Sequence, residues 1–173
     1  MEITTDVILK GNLWKNLTST LKPIFKTYWE VYKLCISIGI MYDKQYEFET
    51  PKDESPISIP RTILHRNENI LNMMFQAAIL STNLYDYEEN DRLNLAFDDE
   101  NAMEFNKLQF LTKFANFGAI KLEKLIGIDD IETMENIKSF LSSSVEGNNF
   151  EVTSIDEKLE KIEIDWNDLK INS

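Results

Sequence analysis

Residues 101–127 read NAMEFNKLQFLTKFANFGAIKLEKLIG, and this stretch decides the fold class. Phe105, Leu108, Leu111, Phe114, Ala115, Gly118, Leu122 and Leu125 follow three- and four-residue steps. That is the period of one face of an α-helix. Phe110, Phe117, Ile120 and Ile126 widen the stripe. The spacing therefore predicts a long helix over about 101–126, apolar on much of its circumference. Asp98 or Asp99 suits its N-cap, where a carboxylate meets unpaired amides and the positive helix end. Gly127 suits a left-handed C-terminal position. Gly118 costs about 1 kcal/mol in a helix interior relative to alanine. A close crossing with another helix would explain it.

Upstream, Ile70, Leu71, Met73, Met74, Phe75, Ala77, Ala78, Ile79, Leu80 and Leu84 leave little polar surface, so a second central helix is expected. It has two starts. Pro60 opens a short turn through Thr62–Leu64, and Asn67 or Asn69 caps a longer piece. Further upstream, Pro23 suits the first turn of a helix carrying Ile24, Phe25, Tyr28, Trp29, Tyr32, Cys35, Ile36 and Ile40. Residues 43–60 read as an exposed loop with an extended piece at Ile57–Ile59. Residues 85–101 read as a polar loop in which Leu93, Leu95 and Phe97 dip inward. Glu2–Leu9 reads as a short strand ended by Gly11-Asn12. Downstream, a helix over about 129–143 carries Ile131, Met134, Ile137, Phe140 and Leu141.

The expected architecture is mainly α: a compact bundle of four to five helices, a short strand near the N-terminus and an acidic C-terminal arm. Residues 1–144 form the helical domain, and 145–173 form a linker and tail. Five glycines and four prolines in 173 residues agree with long helices. No apolar run reaches the ~20 residues of a membrane span. One cysteine and no signal peptide point to the cytoplasm.

Net charge is −12 and unevenly placed. Residues 1–66 hold nine Lys/Arg and eight Asp/Glu, whereas 67–173 hold nine and 22. The acidic part repels phosphate backbones and anionic membranes. Any nucleic-acid contact therefore falls to Lys10, Lys15, Lys22 and Lys26, with Lys33, Trp14 and Trp29 nearby in sequence.

No catalytic, cofactor or metal site is legible. His65 is the only histidine and Cys35 the only cysteine, too few for a standard zinc site or a nucleophilic triad. Cys35 lies in an apolar run and reads as a small buried hydrophobe. The acidic stretch 86–100 lacks the glycine of a calcium-binding loop. The five glycines are scattered, so no phosphate-binding loop exists. The tail is different in character. Ile162, Ile164, Trp166 and Leu169 stand among seven acids between 151 and 170. Such a segment either docks on a basic groove with an aromatic anchor or packs on its own core.

Four segments carry a family resemblance. They are Pro23–Lys26 leading to Val31–Gly39, the Ile59-Pro60 loop, Asn72–Ala78, and Phe110–Gly118. Over about residues 23–126 the chain resembles the small accessory proteins called DNA phosphorothioation (Dnd) system-associated protein 4. The resemblance implies a prokaryotic genome-defence setting and a small subunit beside a larger ATPase or nuclease. It carries over no catalytic residue. The expectation is a non-catalytic accessory subunit of an anti-phage or anti-plasmid complex. Two alternatives are an acidic DNA mimic that inhibits a DNA-binding protein, and a small DNA-binding module using the N-terminal lysines.

Overall fold

A computed structural model describes residues 3–48, 56–98 and 105–145. The chain runs β1 (Val7–Leu9), α1 (Asn12–Thr20), α2 (Tyr28–Tyr42), β2 (Ile57–Ile59), α3 (Arg61–Arg66), α4 (Glu68–Ser81), α5 (Glu89–Phe97), α6 (Lys107–Glu123) and α7 (Asp130–Val145). The mainly helical class is as expected. The described residues hold seven helices rather than four or five, because α1, α3 and α5 are short extra pieces.

The centre is the pair α2 and α6. A Cβ on Gly118 would overlap the Cys35 carbonyl, and one on Gly39 would overlap the Phe114 carbonyl. Cys35 and Gly39 are one turn apart, as are Phe114 and Gly118. The reciprocal match makes the two helices antiparallel and brings backbone against backbone. The close crossing expected from Gly118 is therefore present. Trp14, Tyr32, Phe75 and Phe114 are wholly buried around it. Burying one such side chain contributes roughly 1.5–3 kcal/mol.

The expected strands pair as a two-stranded antiparallel sheet, with Val7 opposite Ile59 and Leu9 opposite Ile57. Asp6 locks it at one end. Its carboxylate accepts from Ser58 Oγ at 3.0 Å and from the Arg61 amide at 2.8 Å, which also serves the start of α3. Gly11 turns the chain out of β1 at φ 95°, a conformation that favours glycine.

Several boundaries differ from the expectation. Pro23 does not open α2. It sits in the turn that closes α1, where the Ile24 and Phe25 amides both donate to Leu21 O. Thr27 starts α2 instead through a capping box: its hydroxyl accepts from the Glu30 amide and the Glu30 carboxylate accepts from the Thr27 amide. Asn106, not Asp98 or Asp99, caps α6, accepting from the Gln109 amide at 2.9 Å. Asp98 ends α5, and Asp99 lies outside the described residues. Gly127 is not left-handed. Helix α6 already ends at Glu123, and the Gly127 amide donates to Thr133 Oγ1 at 2.9 Å. Residues 89–97 are helical rather than looped. Their alternating apolar residues sort by the helical period, which leaves Leu93 and Phe97 outside and Ala96 buried.

Candidate functional site

Among the described residues, Cys35, Tyr32 and Arg92 are committed to structure. Cys35 is fully buried, and burial pushes its thiol pKa well above the usual range. Tyr32 is also fully buried, and desolvation raises its phenol against the opposing hydrogen bond to Thr112. The Tyr32 hydroxyl lies 2.9 Å from Thr112 Oγ1, which donates onward to Leu108 O at 2.7 Å. The Arg92 guanidinium spends its donors on the carbonyls of Ile79, Thr82, Tyr85 and Tyr87. It thereby covers the carbonyl end of α4 and the turn that follows. His65 is exposed, and its Nδ1 lies 3.4 Å from the Glu68 carboxylate three residues on. Among the described residues, no group of three or more His, Cys, Asp or Glu side chains converges as a metal site would require. No described helix is long and apolar enough to cross a membrane.

Lys10, Lys15, Lys22 and Lys26 are all exposed, but the fold separates them. Lys22 and Lys26 line one groove of about 270 Å³, beside the turn between α1 and α2. Lys10 lines a second, polar hollow with Asp6, Glu47 and Lys113, where Lys113 and Glu47 pair at 3.1 Å. Lys15 lines neither. Trp14 and Trp29 are 0% and 7% exposed. Neither offers a ring face for stacking on a base. The Trp14 indole is instead held internally by Asn116 Oδ1 at 2.9 Å.

The surface feature that the sequence concealed is apolar. Helices α4 and α5 lie side by side, with Gln76 Nε2 donating to Ala96 O at 3.2 Å and Arg92 Nη1 donating to Ile79 O at 3.3 Å. This antiparallel register sets Met73 level with Phe97 and Leu80 level with Leu93. All four are exposed, Met73 by 62% and Phe97 by 64%. Glu88, Glu89 and Asp91 are exposed around the start of α5. A second apolar stripe lies on α7, where Ile131, Met134 and Leu141 are exposed. Of the apolar residues expected on this helix, Ile137 and Phe140 are buried.

The apolar excess of residues 70–84 was the available signal. The helix expected to be central packs on α2, α5 and α6 through Leu71, Phe75 and Ala78, yet leaves Met73 and Leu80 exposed. The tail residues Ile162, Ile164, Trp166 and Leu169 lie outside the described residues. No protein-family model matches this chain, and no curated protein or solved structure matches it significantly.

Proposed function

We propose that this chain is a non-catalytic accessory subunit of a prokaryotic anti-phage or anti-plasmid defence complex, acting in the cytoplasm. It binds a larger protein, an ATPase or a nuclease. The observation that carries the binding role is the exposed apolar surface of Met73, Leu80, Leu93 and Phe97, bordered by acids. Exposed apolar side chains on two neighbouring helices suit a contact with another protein. The family resemblance over residues 23–126 supplies the defence setting.

Co-expression of the tagged chain with its genomic neighbours tests this reading. Recovery of an ATPase or nuclease in fixed ratio is the expected result, with its loss in the variant Met73→Asp/Phe97→Asp. Recovery of the chain alone would overturn the accessory-subunit role. Full recovery with the double variant would remove this surface from it.

The charge distribution favours one second reading. With 22 acids against nine basic residues over 67–173, the chain also suits a DNA mimic occupying a DNA-binding groove. Competition between this chain and duplex DNA for the captured partner distinguishes it, because a simple accessory subunit leaves DNA binding intact.

A further inference from the structure

The groove beside the α1–α2 turn combines two features that rarely meet in so acidic a chain. Phe25, Tyr28, Trp29, Ile59, Pro60 and Ile63 give it an apolar wall and floor, while Lys22 and Lys26 stand exposed on its rim. No Asp or Glu among the described residues lines it, although 30 of the 173 residues are acidic. The local folding explains its permanence. The closing turn of α1 carries Lys22 and Phe25, the capping box fixes Thr27 to Glu30, and β2 leads through Pro60 into α3 on the far side. The groove is thus complementary to a segment that mixes bulky apolar residues with carboxylates.

The C-terminal part of the chain contains such a segment. Ile162, Glu163, Ile164, Asp165 and Trp166 follow one another, with Asp168 and Leu169 next. We infer that this C-terminal segment of the chain itself occupies the Lys22/Lys26 groove, placing its apolar side chains on the groove wall and its carboxylates at the two lysines.

Reach permits it. Phe140 of α7 stacks on Tyr42 at the C-terminal end of α2, with ring centroids 6.4 Å apart. The groove lies at the other end of α2, which at 1.5 Å per residue is about 22 Å away. From Val145 to Ile162, the intervening chain spans up to roughly 56 Å when extended. Tethering then favours this occupant over the same segment of a second copy. A short linker gives an effective concentration of about millimolar order, above that of any free chain at micromolar levels. A like-charged second molecule is further opposed by the net charge of −12. The inference does not depend on which larger protein the chain serves.

Zero-length cross-linking of the full chain tests it. A carbodiimide joins a lysine amine to a carboxylate only where the two touch, and peptide mass spectrometry locates the join. Lys22 or Lys26 should be joined to Glu160, Glu163, Asp165 or Asp168 within monomeric chains. The join should disappear in Lys22→Glu/Lys26→Glu, whose exposed positions leave the circular dichroism spectrum unchanged. It should return, with the roles of the groups reversed, when Glu163→Lys/Asp165→Lys is added. Absence of the join in monomers, or its appearance only in dimers, would overturn the inference. So would retention on a single-stranded oligonucleotide that the lysine variants abolish without any internal join, because the groove would then belong to nucleic acid.

Discussion

The Cβ that Gly118 lacks would fall on the Cys35 carbonyl oxygen and 2.8 Å from the Cys35 Cα. The obstacle is the backbone of α2, which no side-chain rotation moves aside. Two effects therefore oppose each other in Gly118→Ala. Alanine favours the helix by about 1 kcal/mol. Forcing the two backbones apart costs more, because every contact between α2 and α6 loosens together. Overpacking of a close-packed core costs typically 1–3 kcal/mol, occasionally more. A net loss of about 2 kcal/mol is expected, or a Tm lowered by roughly 4–8 °C for a chain of this size. Gly39→Ala, which meets the Phe114 backbone, should behave alike. Thermal unfolding of both variants is the check. An unchanged Tm would mean that the helices do not cross this closely.

Asn116 is a buried polar residue of α6. Its Oδ1 accepts from the Trp14 indole at 2.9 Å, and its Nδ2 donates to Tyr46 O at 3.0 Å. It therefore ties α1 and the chain after α2 to α6. Asn116→Ala strands the indole donor in the interior. An unsatisfied buried polar group costs about 1–3 kcal/mol. The urea midpoint should fall with the slope unchanged, and Trp14 emission should shift. Stability within 0.5 kcal/mol of the parent, on the order of a surface change, would show that the network is dispensable.

The contrast between these two residues shows what the sequence could convey. Gly118 was legible because a glycine within an unbroken apolar stripe is a local anomaly with a local cost. Asn116 gave no such signal, since its partner Trp14 stands 102 residues away. The strands at Val7–Leu9 and Ile57–Ile59 were legible as short β-branched runs. Residues 93–97 were misread because Leu93 and Phe97 fit both a two-residue and a four-residue period over so short a window. The candidate surface stayed hidden for a related reason. Apolar residues announce burial, and only packing reveals that Met73, Leu80, Ile131 and Met134 are left over once α2 and α6 have used each other's faces.

Arg92 offers a test of how α5 is held. Its guanidinium reaches Ile79 O and Tyr85 O at 3.3 Å each and Tyr87 O at 3.2 Å, and also meets Thr82 O. A planar fork of five donors satisfies several carbonyls at once, whereas a lysine ammonium is a single point of donation. Arg92→Lys keeps the charge but leaves most of those carbonyls without the donor. A loss of about 1–2 kcal/mol is expected from the weakened bonds. It should appear first as faster amide exchange in α5 and the 82–87 turn, while α2 and α6 stay protected. Uniformly faster exchange across the core would instead make Arg92 part of the global fold.

Cys35 gives the clearest dependence on pH. Its ordinary thiol value is 9.0, and desolvation raises it well above that in the folded chain. Below the ordinary value, folded and unfolded chains both hold the proton and the thiol contributes no slope. Above it, the unfolded chain releases the proton while the folded chain keeps it, so stability falls as pH rises. The fall is about 1.4 kcal/mol per pH unit until the raised folded value is reached. Tyr32, raised by the same desolvation from its ordinary 10.0, adds a second fall at higher pH. Urea unfolding between pH 8 and pH 10 should therefore show a downward slope in the parent chain. Cys35→Ala should be less stable at pH 8, because it leaves a small void, yet lose less with each added unit of pH. The same burial predicts that a disulfide reagent labels Cys35 only as fast as the chain opens. Equal alkaline slopes in the two chains, together with rapid labelling of the folded parent, would mean that the thiol meets solvent at the α2–α6 crossing.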